Sequence, residues 1–178
     1  RRLQAHATYP ARFEAAFGHD TVTAAAVGRA LAQYVRTLVS DQSRWDAWRR
    51  GEATLTKGEL RGWKLFEANC ASCHPPGLFT DNVYHNLGLD DGPTDREGMH
   101  LGRYRITFNP ADRGAFKTPT LRNVALTAPY GHDGRFTTLD AMLDHHRAHL
   151  PAAATLTNAD LDALKEFLRT LTDTTFGV

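Results

Sequence analysis

The chain has 178 residues, 42% of them hydrophobic, with 21 lysines and arginines against 20 aspartates and glutamates for a formal charge of +1. That length and apolar share are enough for one domain, or one domain with a smaller lobe, around a real core, and exclude a disordered chain. A near-neutral balance without long like-charge runs excludes an electrostatic partnership with nucleic acid or a membrane surface.

The opening RRLQAHATYPARFEAAF has no initiating Met and is already amphipathic, which predicts a processed product or a fragment of a longer protein. No apolar run reaches membrane-spanning length, so no membrane span is expected. In DTVTAAAVGRALAQYVRTLV, residues 20–39, Val27, Leu31, Tyr34, Val35 and Leu38 recur at three- and four-residue intervals. They predict one long amphipathic helix, N-capped by Asp20 or Thr21. The polar SDQSRWDAWRRGEA that follows suits a short helical turn. Thr56 and Glu59 then read as a capping box that opens a helix through KGELRGWKLFEAN to the cysteines.

From Pro75 to about Val124 the periodicity vanishes into Gly, Pro, Asp and Asn. So long a stretch without pattern conflicts with a compact domain unless something besides side chains fills the core, and a bulky cofactor would do so. Two helices close the chain. TTLDAMLDHHRAHL is ended by Pro151, and TNADLDALKEFLRTLTD carries Leu161, Leu164, Phe167, Leu168 and Leu171 on one stripe.

The only two cysteines, Cys70 and Cys73, stand in NCASCHPPGLF with His74 beside them. C-x-x-C-H is the haem c attachment signature: each thiol adds to one vinyl group, and the adjacent imidazole supplies the proximal nitrogen to iron. Two alternatives compete. Cys70 and Cys73 with His145 and His149 make a Cys2His2 zinc set, but the pairs lie over seventy residues apart, far beyond a finger loop. A redox dithiol of thioredoxin type needs a strand before the motif, where this chain has a helix; a plain disulfide is the remaining option. Only haem c also accounts for the irregular middle.

A haem iron held by His74 has a sixth position to fill. On a helical wheel at ~100° per residue, Leu139, Met142, Leu143, His146 and Leu150 share a stripe with His146 near its centre, while His145 and His149 fall to the side. His146 is therefore the first candidate for the distal bond, against the alternative of an ordinary core histidine; Met142 is the second candidate and Met99 the third. His85, His100 and His132 lie in loops, where solvent exposure or a local hydrogen bond is the default, and His132 is the one to watch.

The stretches LFEANCASCHPPGLFTDNVYHNLGL, LGRYRITFNPADRGAFKTPTLRNVALTAPYGHDGRFTTLDAMLDHH and ALAQYVRTLVSDQSRWDAW together resemble the C-terminal half of bacterial diheme cytochrome c peroxidases and their MauG-like relatives. The resemblance runs from about Tyr9 to Leu171. It implies an all-α fold: a cytochrome c-like haem domain with long irregular loops over 53–178, preceded at 1–52 by an inter-domain helical lead-in from an N-terminal haem domain. It implies one covalent haem c here, held by Cys70, Cys73 and His74, with the distal bond at His146, where relatives have Met or Tyr. A second haem is expected in the missing domain.

In such a protein the peroxide-reducing haem lies outside this segment, so no catalytic residue is expected within it. The implied activity is reduction of hydrogen peroxide to water in the periplasm, with electrons from a small cytochrome c or cupredoxin. A MauG-like oxidase acting on a protein substrate and a stand-alone monohaem carrier are the alternatives. The resemblance further implies a calcium ion taken by the carbonyls of Thr127 and Pro129, and the homodimers common in the family; Arg122 in TPTLRN reads either as the partner of a haem propionate or as a solvated surface arginine. Gly131 departs from the Phe or Met usual there.

Overall fold

A computed structural model of the chain describes residues 1–89 and 98–176. The part of the irregular middle at 90–97 therefore lies outside the described residues. The chain forms two units, Arg1–Val39 and Ser40–Val178. Trp45 and Asp46 are buried within the second unit.

The first unit holds α1 (Tyr9–Phe17) and α2 (Ala24–Thr37). Gly18 ends α1 in the left-handed region at φ 78°, donating its N–H to the Glu14 carbonyl, as a glycine C-cap does without a Cβ penalty. The α2 cap is Thr23 rather than Asp20 or Thr21. Thr23 has the extended backbone a cap needs, and its hydroxyl accepts from the Ala26 N–H.

In the second unit, α3 (Arg44–Arg49), α4 (Lys57–Asn69) and α7 (Asn158–Arg169) open on reciprocal capping boxes, Ser43 with Asp46, Thr56 with Glu59 and Thr157 with Asp160. Each box satisfies two orphan N–H groups. A single turn, α5 (Tyr104–Thr107), lies in the irregular middle, and α6 (Leu139–His149) follows it, capped by Thr138. The only strands among the described residues, β1 (Tyr84–Asn86) and β2 (Ala115–Lys117), pair antiparallel with His85 opposite Phe116. The fold is all-α and of cytochrome c type. None of its described helices is long and apolar enough to cross a membrane.

The α7 stripe of Leu161, Leu164, Phe167, Leu168 and Leu171 is buried, as the periodicity predicts, against Trp63 and Phe66 of α4 and against Trp45 and Phe79. Ring pairs at 4.8 to 5.2 Å link Trp45 with Phe79, Phe66 with Phe167 and Trp63 with Phe167, distances at which aromatic pairs add to simple burial.

The crossing of α4 on α7 depends on Gly62. A Cβ there would stand 2.7 Å from the Ala163 carbonyl carbon and 2.8 Å from the Phe167 Cβ. Backbone cannot step aside, so Gly62→Ala is expected to cost about 2–3 kcal/mol in urea unfolding. Gly58→Ala meets only the carboxylate end of Glu166. That side chain can swing away, and the cost should stay within about 0.5 kcal/mol. Equal effects at the two positions would refute the close crossing.

Candidate functional site

Helix α4 stops at Asn69, and the chain turns tightly over the motif. Cys70 donates its N–H to the Phe66 carbonyl at 2.8 Å, and the Cys70 carbonyl accepts from the N–H groups of Cys73 at 3.2 Å and His74 at 2.9 Å. The turn brings both sulfurs and the imidazole to one cavity of about 570 Å³, within the range of cofactor sites. Both cysteines are free thiols, so the plain disulfide is not formed. Burial, with Cys73 close by, pushes the Cys70 thiol up to about 12. That is the opposite of the lowered thiol of a reactive dithiol.

His74 lies 2.9 Å through Nδ1 from the Phe79 carbonyl. A carbonyl only accepts, so Nδ1 carries the hydrogen and Nε2 keeps its lone pair, the arrangement that second-shell partners impose on a ligand histidine. Burial holds His74 below the ordinary histidine range, the Phe79 hydrogen bond opposes this, and nearby His146 reinforces it.

Across the cavity, α6 presents Leu139, Met142, Leu143 and His146, with Leu150 just beyond it, the same five residues that the helical wheel grouped. His146 repeats the arrangement of His74: its Nδ1 lies 2.8 Å from the Met142 carbonyl, which leaves Nε2 unprotonated. Burial keeps it, too, below the ordinary range. Two neutral imidazoles thus line one apolar cavity with Nδ1 tied to backbone, beside two thiols.

The zinc set is not assembled. His145 and His149 stack on each other at 4.0 Å, and His145 bonds through Nε2 to the Leu87 carbonyl at 2.7 Å, away from the cysteines. Neither lines the cavity. Met99 is half exposed and outside the lining, which leaves Met142 as the methionine within reach of the site. Thr127 and Pro129 line the cavity wall, joined through a cis peptide between Ala128 and Pro129. His132 also lines it, with its ring flat against Phe116 at 3.7 Å, while His100 does not.

Arg122 is a correction to the propionate expectation. It does not line the cavity; its guanidinium forms a fork on the Asp46 carboxylate at 2.8 and 2.9 Å, and its Nε donates to the Gly77 carbonyl. Burial alone would raise Asp46, but the hydrogen bonds from Arg122 and Ser43 outweigh it, and the carboxyl lies below the ordinary range. Both side chains are nearly buried, at 12% and 10% exposure, so Arg122→Leu strands a charge and should cost about 3–5 kcal/mol in urea unfolding at pH 7. Because the folded-state value is the depressed one, this contribution is present above the unfolded value of 3.8 and disappears as pH falls through the folded value. The gap between variant and wild type should therefore close in acid; a gap that is unchanged at pH 3 would refute the assignment.

One grouping escaped the sequence reading. Asp81 and His85 bond at 2.7 Å, and their ligand atoms lie within 4.8 Å of the Cys73 sulfur, the only such cluster among the described residues. The His85 imidazole holds Asp81 well below the usual carboxylate range. The pair sits where the chain enters β1, and nothing periodic marks it.

Residues 60–172 match the family described as Cytochrome c, and residues 1–54 match Di-haem cytochrome c peroxidase. The chain belongs to the diheme cytochrome c peroxidase and MauG family. Among its relatives, the cytochrome c551 peroxidase of Nitrosomonas europaea is 35% identical, over 92% of this chain and 49% of the relative. The methylamine utilization protein MauG of Methylorubrum extorquens is 39% identical, over 82% of this chain and 41% of the relative. A solved MauG-like protein associated with microbial copper homeostasis superposes with a TM-score of 0.79 at 33% identity, covering 97% of this chain and 61% of that one. This diheme-peroxidase-family chain spans about half the length of these curated relatives and corresponds to their C-terminal part. Haem c is the cofactor of its cytochrome c domain, and the cavity fits that group in size, in apolar walls and in donor set.

Proposed function

We propose that this chain is the electron-transfer segment of a two-haem peroxidase, which reduces hydrogen peroxide with two electrons and two protons to two waters. One observation carries the reading: two neutral imidazoles, each with Nδ1–H tied to a backbone carbonyl and Nε2 unprotonated, line the cavity that also takes both cysteines. In this reading Cys70 and Cys73 carry the thioethers, His74 the proximal bond and His146 the distal bond.

Haem c held there supplies one-electron transfer. The protein's part is to position and enclose. The Phe79 and Met142 carbonyls fix the two ring orientations, and the leucines of α6 keep water from the site. With both imidazoles in place no coordination site remains for peroxide, so catalysis belongs to the first haem domain and this segment receives electrons from a small cytochrome c or cupredoxin. The periplasm is the proposed compartment, on family grounds. A calcium ion on the Thr127 and Pro129 carbonyls, a hard cation on hard donors, belongs to the same reading.

A MauG-like oxidase acting on a protein substrate is the second reading, favoured by the 39% identity to one MauG protein. His146 stands where that chemistry leans on Tyr, and ranks it second. Haem stoichiometry tests the first reading: pyridine haemochrome absorbance with intact mass should give one covalent haem in this segment and two in the assembled protein, with peroxide turnover only in the latter. A segment without covalent haem sinks it.

A further inference from the structure

Helix α6 carries His146, and its apolar side packs through Leu139 and Leu143 against the core. Apolar contact is non-directional, so it presses α6 onto its neighbours without fixing its place along them. That place matters, because a slip of one residue moves a side chain ~1.5 Å along the axis, whereas a ligand has to be held to within about 0.5 Å. Behind the cavity wall, Leu161 also lines a polar cleft of about 300 Å³ between α6 and α7. There Lys165 of α7 bonds Asp140 in the first turn of α6, and Asp162 at 2.9 Å. Arg147 in the last turn of α6 donates to the Asn158 side-chain oxygen at 2.7 Å and pairs with Asp144 at 2.6 Å. The ammonium holds Asp140 below the usual carboxylate range, and Asp140 with Asp162 holds Lys165 above the usual lysine range.

Asp140 and Arg147 are seven residues apart on α6, and their partners Lys165 and Asn158 are seven apart on α7 in the opposite sense. One axial register therefore closes both pairs, and a slip of either helix opens both. We infer that Lys165 and Asn158 are positioning residues for the distal imidazole: with Asp140 and Arg147 they form a two-point polar seam that sets the register of α6 on α7 and keeps His146 within reach of the haem iron. Exposed ion pairs add little to stability; what a directional pair adds here is register. The inference rests on the reading of His146 as the distal ligand and names what holds that ligand in place.

The test times the displacement of His146 by cyanide in the oxidised protein carrying its haem, at pH 7, where the probe is mostly neutral hydrogen cyanide. The readout is the change in the haem spectrum, and at saturating probe its rate is the rate at which the imidazole lets go. Lys165→Met and Asn158→Ala should each raise that rate about 3- to 5-fold, and together at least ~10-fold. The wild-type rate should rise between low salt and about 1 M salt, and Lys165→Met should lose that rise. Arg61→Met is the control, because Arg61 of α4 pairs with Asp160 of α7 at 2.7 Å rather than with α6. It removes a comparable pair and should leave the rate unchanged. Three results overturn the inference: seam variants that release His146 no faster than wild type, an Arg61→Met protein as fast as they are, or a wild-type rate indifferent to salt. A His146→Ala protein that stays low-spin removes the ligand reading and the inference with it, which separates the two failures. The salt dependence of the wild type stands whether or not the variants fold.

Discussion

A chain with Cys70→Ala and Cys73→Ala is expected to be purified without covalent haem and without a cooperative thermal transition. The cavity bounded by the motif, α6 and α7 measures about 570 Å³. Leaving apolar space unfilled costs about 24 cal/mol per Å³, which gives ~14 kcal/mol if the walls stay in place. Native domains are stable by only about 5–15 kcal/mol. Even if the walls recover half of that by collapsing inward, little remains to hold α6 against α7. Single variants keep one thioether and should keep haem and fold, with lowered melting temperatures. Haemochrome absorbance and a far-ultraviolet melting curve decide the matter: a colourless double variant that melts like wild type would show that the cavity is not where the haem lies.

The same dependence on a cofactor explains how much of this molecule is legible in its sequence. Helical segments announce themselves, because a stripe such as Leu161, Leu164, Phe167 and Leu168 repeats with the period of the helix that buries it. The Thr56–Glu59 box is equally local. On α6 the wheel places His146 on the apolar stripe, and the structure turns that stripe into the cavity. What period and cap cannot carry is contact over distance. The Arg122–Asp46 pair joins residues 76 apart, so Arg122 offered no sign of which anion it meets. β1 and β2 are three residues each, too short to show alternation, and with them the Asp81–His85 pair went unseen. The burial of Trp45 in the second unit is likewise concealed by its polar neighbourhood.

Replacing His146 by Met should raise the haem potential on the order of 100 mV, a modest part of the ~0.8 V that axial ligands span. A second imidazole donates more strongly to iron than a thioether does, so it favours the oxidised state; exchanging it moves the site toward that of a Met-ligated acceptor. The spectrum should stay low-spin, because the sixth position remains filled. His146→Ala should open that position, give a high-spin ferric spectrum and allow added imidazole to restore the low-spin form. Met142 is the internal control, since it lines the same cavity one turn away and its carbonyl holds the His146 ring. Met142→Leu keeps that carbonyl and the apolar wall, so its potential should stay within a few tens of millivolts of wild type. If instead Met142→Leu moves the potential and His146→Met does not, the distal bond belongs to the methionine, and His146 is a core histidine satisfied by its own helix.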